Sequence, residues 1–419
     1  MKERNLVLLL LQRTGQLLMD AKTLRSLCSS PTAFSRERKL PLSRLVLLLL
    51  RRMHRGSQLE LDAFYQQLGC EESTVTKQAL SKARKNLDYR VIKEFADMSA
   101  EIACQIENPF LYNGMRLCAI DGSSVALENA PELREKYGTR GYGSCATTGL
   151  MSMLYDPLND IILDTQTLRG ACDERAAIPA HLERLEKISQ TPALLLFDRG
   201  YPSKELMLRL SHQGSKFLMR CSKAFRQDFN EATSGDWFEI RIKNDRCNIR
   251  VIKVALPSGE TELLLTNLQQ QLLPCEEAGA LYFQRWAIEE KFKLLKARLE
   301  LESFSGRSEQ TMLQDIYAAI YVANLVALMK RVVDEDIVTN DARKTLRYPR
   351  HANQSRIIAK LRDRFIHCLL LESDWKRNLL LRSIYRDIAR FPQSIRPGRS
   401  FPHKEPRHRK HSLAYKPSL

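Results

Sequence analysis

Through residues 1 to about 105 the apolar positions recur at helical spacing, with no sustained strand-like alternation and no internal repeat. Leu45 to His54 and Leu59 to Leu68 predict two helices parted by Arg55-Gly56-Ser57, and Thr74 to Asn86 predicts a third. On the third, Val75, Ala79, Ala83 and Leu87 make the expected apolar side and Lys77, Ser81 and Arg84 the opposite one. Three helices with a basic last member suit a helix-turn-helix-like DNA contact through Lys77, Ser81 and Arg84; a plain bundle with a charged outer face is the other reading.

Near Asn108-Pro109 the period changes. Short strand-like runs follow at Arg116 to Ile120, Leu150 to Tyr155, Ile161 to Leu168, Ala193 to Phe197 and Lys216 to Arg220. Helical stretches at Asp173 to Ser189 and Ser203 to His212 interrupt them, which predicts an α/β (mixed α+β) domain on a mixed sheet. Between about Ala224 and Gln269 the pattern is strand-only, with Trp237 to Ile242, Asn248 to Ala255 and Thr261 to Leu265. Helical periodicity returns near Glu276, continues in a longer helix from about Glu309 to Val333, and resumes from Ser355 to Arg390. The expected division is a helical, DNA-binding part over 1–105, a catalytic part over 106–335 with a β insertion at 223–272, a helical part over 336–390, and a basic tail over 391–419.

Charge sharpens this picture. Lys and Arg number 66 against 49 Asp and Glu, a formal charge of +17, which suits a protein that meets polyanions. The tail supplies +6 of it, from seven Lys/Arg and one Glu among five prolines. The longest leucine-rich runs, Leu6 to Leu11 and Leu45 to Leu50, hold six residues each, far short of a bilayer span. Lys2 and Arg4 before the first run imitate a signal peptide, but no small-residue cleavage site follows. Ten cysteines include no C-x-x-C pair, so neither a disulfide framework nor a zinc ribbon is indicated. The expectation is a cytoplasmic, nucleoid-associated protein with no membrane partner.

Tyr282, Arg285, Glu289 and Lys296 stand at relative positions 0, 3, 7 and 14. In a regular α-helix, at about 100° per residue, these side chains share roughly 60° of arc. Arg285 and Lys296 would neutralise phosphates, Tyr282 would donate or stack, and Glu289 would hold a hard cation. The same spacing suits a solvated face of charge pairs. Two aspartates at the ends of apolar strands, Asp121 in Asp-Gly-Ser and Asp198 in Asp-Arg-Gly-Tyr201, are placed to join Glu289. Alone, Asp121 reads as a turn residue and Asp198 as a cap or loop residue. Together, three carboxylates can hold two Mg²⁺ ions about 3.5–4 Å apart and so support phosphodiester chemistry, with Mn²⁺ as a substitute.

In this order, Asp-Gly-Ser, Asp-x-Gly-Tyr and Tyr-(2)-Arg-(3)-Glu-(6)-Lys, the motifs resemble the cut-and-paste DDE transposases of the insertion-sequence-four type, named for the Y-R-E-K string. Arg285-Trp-Ala-Ile-Glu289, Leu299 to Gly306, Tyr317 to Leu325 and Thr76 to Arg84 extend the resemblance over about residues 40 to 390. It implies an RNase H-like catalytic core with a β-strand insertion between the second Asp and the Glu. Asp121, Asp198 and Glu289 would coordinate metal, while Tyr282, Arg285 and Lys296 would hold transposon-end phosphates. Asp173-Glu-Arg175 resembles an acidic/basic segment of the family. Some members cleave the second strand through a DNA hairpin, using a tryptophan of the insertion to receive a flipped base; here that tryptophan is Trp237, whose alternative is a packed strand residue.

Weaker signals are set aside. Gly138 to Ser144 lacks the lysine of a phosphate loop, and His403, His408 and His411 sit in a Pro/Arg-rich tail where solvated histidines are the ordinary case. No G-x-S-x-G or H-E-x-x-H motif supports a hydrolase. The leading expectation is a transposase acting as a homodimer on double-stranded DNA, both transposon ends and target. The alternatives are a domesticated DNA-binding protein and a structure-specific nuclease with the same core.

Overall fold

The computed structural model describes residues 2–28, 30, 32–36, 38–139, 147–342, 344–371 and 373–396. Part of Gly138–Ser144, the tail beyond 396, and with it His403, His408 and His411, lie outside the described residues. The chain forms two compact units: 108–125 with 149–293, and 1–107 with 126–148 and 294–419. The sheet unit begins at residue 108, and residues 126–148 and 294–335 belong to the helical unit and not to the sheet.

The helical unit holds α1 (Glu3–Met19), α2 (Ala21–Ser26), α3 (Leu42–Leu50), α4 (Ser57–Gln67), α5 (Lys77–Asn86), α6 (Tyr89–Ala103) and α7 (Pro131–Tyr137). It continues with α13 (Glu309–Asp341), α14 (Gln354–Leu370) and α15 (Asp374–Ala389), and a two-residue bridge of Arg350–His351 with Gln393–Ser394. Helix α13 explains the shifted boundary: α1, α3, α6, α14 and α15 all pack on it. It is apolar and long enough to cross a membrane by composition alone, yet 89% of its most apolar stretch is buried within the protein. A reciprocal cap of Ser308 and Thr311 starts it.

Helix α5 is present as expected, begun by the Thr76 side chain accepting from the Ala79 amide, but it is rotated from the predicted orientation. Leu80 and Arg84 face inward with Leu87, while Ala79 is exposed. Arg84 is therefore no DNA contact. Its Nε donates to Gln314 Oε1 at 2.9 Å, one terminal nitrogen to Thr311 O at 2.8 Å and Asp315 Oδ1 at 3.2 Å, and the other to Ser305. These partners satisfy the guanidinium inside the unit, which is what makes burying it tolerable. Lys77 and Ser81 remain exposed, joined by Lys82 and Lys85, so the outward face is more basic than the sequence pattern indicated.

The sheet unit carries β1 (Arg116–Ala126), β2 (Thr148–Asp156), β3 (Ile161–Arg169), β4 (Ala193–Phe197), β5 (Lys216–Cys221), β6 (Trp237–Ile242), β7 (Asp245–Ala255) and β8 (Thr261–Thr266). One eight-stranded sheet runs in the order β3-β2-β1-β4-β5-β8-β7-β6. Strands β1, β4 and β5 are parallel, β2–β3 is an antiparallel hairpin, and the expected insertion extends the sheet antiparallel through β8, β7 and β6. This is the mixed α/β architecture with a β-strand insertion that the sequence predicted. The run Leu194-Leu-Leu-Phe197 is buried throughout because β4 is central and parallel. Helices α8 (Ile178–Ile188), α9 (Lys204–His212), α10 (Gln227–Glu231), α11 (Cys275–Phe283) and α12 (Trp286–Lys293) complete the unit.

Candidate active site

Strand pairing brings the two aspartates side by side. In the β1–β4 register Ile120 faces Phe197, so Asp121 and Asp198 follow at the same level on neighbouring strands. Asp198 leaves the end of β4 as expected. Asp121, by contrast, lies inside β1, which continues to Ala126 after its pairing with β4 has ended, so Asp-Gly is no turn here.

The stretch expected to be one regular helix is broken. Helix α11 ends at Phe283, Arg285 lies in the junction, α12 carries Glu289, and Leu294–Arg298 winds as a π-helix. Such widened turns displace every later side chain from its α-helical azimuth, so the common 60° arc does not extend to Lys296. Lys296 belongs to the helical unit and pairs with Glu302 at 3.3 Å. The break has a consequence for the other three residues. Arg285 turns inward, only 7% of its side chain exposed, and bridges Asp121 Oδ2 at 3.1 Å and Glu289 Oε1 at 3.0 Å. Tyr282, buried as well, donates its hydroxyl to Asp198 Oδ1 at 3.4 Å, and the Arg285 guanidinium lies 5.7 Å from its ring centroid. Both side chains expected on phosphates hold the carboxylates instead.

Helix α12 is anchored from behind. Lys291, almost wholly buried, reaches Asp160 Oδ1 at 2.5 Å and its carbonyl at 3.2 Å, and lies over the Tyr155 ring. Ile288 and Phe292 bury on the same helix, which leaves Glu289, a third exposed, directed at the aspartates. Sequence reasoning missed Lys291, since a lysine one turn from basic neighbours reads as solvated.

Burial raises the Asp121 carboxyl to about 6; Glu174 and Asp198 add repulsion, while Arg285 and the Gly122 amide work against it. Burial, reinforced by Asp198, keeps the Tyr282 hydroxyl protonated as a donor. Burial lowers Arg285, but Tyr282, Asp198, Asp121 and Glu289 outweigh it and fix the positive charge. Oxygen donors carrying unneutralised charge are what a hard divalent cation selects. Among the described residues no three acidic or His/Cys groups are already close enough to grip an ion, because Arg285 spans Asp121 and Glu289. The donor types suit a hard cation, and a cation held between Asp121 and Glu289 would displace Arg285 from one of them.

A second constellation imitates a hydrolase triad. His181 places Nε2 3.0 Å from Ser152 Oγ and Nδ1 2.7 Å from Asp164 Oδ2, but Ser152 and His181 are fully buried between α8 and the β2–β3 hairpin. With no approach to the hydroxyl, the network is a clip for α8.

Residues 112–325 match the family model described as a transposase DDE domain. The chain belongs to the DDE transposase family. A Sinorhizobium fredii protein named as a transposase, y4zB, is 26% identical over 159 residues, a match covering 34% of this chain. The chain spans 44% of that relative's length. A solved piggyBac transposase synaptic complex with hairpin DNA superposes with a TM-score of 0.44 at 11% identity, over 85% of this chain and 76% of that one. The matched transposase domain contains Asp121, Asp198 and Glu289.

Proposed function

We propose that this chain is a cut-and-paste DNA transposase of the insertion-sequence-four type. In this reading it binds terminal inverted repeats, pairs two ends as a homodimer, and carries out Mg²⁺-dependent cleavage followed by 3′-hydroxyl attack on target DNA. The convergence of Asp121, Asp198 and Glu289 on Arg285 and Tyr282 carries the reading, because a DNA-binding regulator has no use for three carboxylates drawn together from β1, the end of β4, and α12.

Asp121, Asp198 and Glu289 would hold the ions, which when bound supply a polarised phosphodiester and a stabilised leaving oxygen. Arg285 orients Asp121 relative to Glu289, Tyr282 fixes one oxygen of Asp198, and Lys291 locks the helix that presents Glu289. Phe283 and Trp286, 70% and 47% exposed, flank Arg285 and offer aromatic faces to bases. Trp237 is no packed core residue: it opens the edge strand β6 and is 47% exposed, so it too is open to a base. Base readout falls to the exposed face of α5, with Lys77, Ser81, Lys82 and Lys85. Labelled terminal-repeat duplex with Mg²⁺ tests the proposal. A transposase yields cleaved and then strand-joined products; binding without cleavage, or cleavage without joining, would replace it with one of the two alternatives.

A further inference from the structure

Gly122 follows Asp121 in β1 with an ordinary backbone, since its φ lies outside the left-handed region that favours glycine. Its lack of a side chain has a steric reason. A Cβ there would lie 2.9 Å from Glu174 Cδ, 3.0 Å from Glu174 Oε2 and 3.0 Å from Leu150 Cδ1. The Glu174 carboxyl therefore rests directly on the strand beside Asp121, in space that any larger residue would close.

Three further observations concern that carboxyl. Its neighbour Arg175 is turned away, with Nε 2.9 Å from both oxygens of Asp173, and among the described residues no cation pairs with Glu174. The Tyr201 hydroxyl, in a side chain 1% exposed, is directed at the Glu174 carboxyl without reaching good hydrogen-bond geometry with any group, and Asp121 and Asp198 are its other acidic neighbours. A buried donor left unpaired costs stability unless the site uses it. Finally, Asp121, Asp198 and Glu289 already share the single Arg285 guanidinium, and Glu174 adds a further carboxylate beside Asp121.

We propose that Glu174 is a fourth carboxylate of the cation-binding set, admitted by Gly122 and steadied by the Tyr201 hydroxyl. The inference rests on the proposed function's cation site and assigns it a residue outside the three-carboxylate motif. Glu174 would share the ion held by Asp121, and Tyr201 would donate to the Glu174 oxygen turned from it.

Calorimetric titration of the full-length, metal-stripped chain with Mn²⁺ tests this without any DNA step. Glu174→Gln is expected to weaken Mn²⁺ binding by at least about 10–100-fold, the loss that follows when even a hydrogen-bond partner of a metal ligand is removed. Gly122→Ala, which pushes the carboxyl aside while keeping it, is expected to do the same, and provides the test if Glu174→Gln fails to fold. Glu174→Asp should fall between Glu174→Gln and the native chain. Asp121→Asn is the reference: if it loses Mn²⁺ while folded Glu174→Gln and Gly122→Ala keep native affinity, the fourth-carboxylate assignment is overturned and the three-carboxylate site stands. If Asp121→Asn also binds Mn²⁺ like the native chain, the cation site itself is wrong and both readings fall.

Discussion

Unfolding the metal-free protein across the pH range should single out Asp121. Its carboxyl, ordinarily near 3.8, is raised to about 6 in the fold, chiefly by burial. A folded-state value above the unfolded one means the native chain holds the proton more tightly. Ionised Asp121 therefore subtracts stability as pH rises from about 4 to about 6, and subtracts the full amount above that. At about 1.4 kcal/mol per pH unit, the gap amounts to about 3 kcal/mol. The attraction of Arg285 is already inside that figure, because it acts on the same carboxylate. Asp121→Asn should thus be more stable than the native chain near neutral pH in chelator, by up to about 3 kcal/mol, with the two converging near pH 4. Urea titrations at several pH values, with EDTA present, measure the difference. Parallel profiles, or an Asp121→Asn chain less stable at neutral pH, would refute the account of the site as an unneutralised acidic cluster. Adding Mg²⁺ should stabilise the native chain and leave the variant nearly unmoved.

Other outcomes follow from the same geometry. Asp198→Ala and Glu289→Ala should abolish cleavage while end-binding persists, as gel-shift and cleavage assays on one substrate will record; loss of binding in both would point to a damaged fold. Arg84→Ala should cost about 3–5 kcal/mol in urea unfolding, because it takes the guanidinium charge from the buried Asp315 carboxylate and its bonds from Gln314 and Thr311, whereas Lys82→Ala should leave stability unchanged and reduce the log–log salt slope of DNA binding by roughly 0.9. Arg285→Ala should suppress cleavage with an unaltered salt slope, since its nitrogens serve Asp121 and Glu289; a flattened slope would return it to phosphate contact. Trp237→Ala should permit the first nick and reduce any hairpin product without lowering the melting temperature, because the side chain is half exposed; parallel loss of both steps would mark it as structural.

The order of strands and helices was legible because the apolar period changes from helical to alternating near residue 108 and back near 276, and packing followed that pattern. The three carboxylates were legible as chemistry-bearing residues because their motifs resemble a family, and strand register then brought Asp121 beside Asp198. What escaped depended on distant partners. Arg84 looks outward when Val75, Ala79, Ala83 and Leu87 are taken as the apolar side of α5, yet its acceptors lie 221 to 231 positions further along the chain. Lys291 is buried because Asp160 and Tyr155 are there to receive it. The rotation of Arg285 and Tyr282 from phosphate-facing to carboxylate-holding arises at the α11–α12 break, and no local propensity announces that break. Gly122 read as a turn signal, whereas its purpose is the space that Glu174 fills.

In the proposed reading Asp121, Asp198 and Glu289 together hold the cation that acts on DNA. Thiolate substitution tests it most directly, because a soft sulfur ligand disfavours Mg²⁺ and accepts Mn²⁺ better. Asp121→Cys and Asp198→Cys, each verified as folded, should fail to cleave terminal-repeat DNA in Mg²⁺ and recover cleavage in Mn²⁺. Cleavage in Mg²⁺ at the native rate by either variant would contradict the claim for that position. If both cleave at the native rate, the site's assignment as the catalytic centre is contradicted.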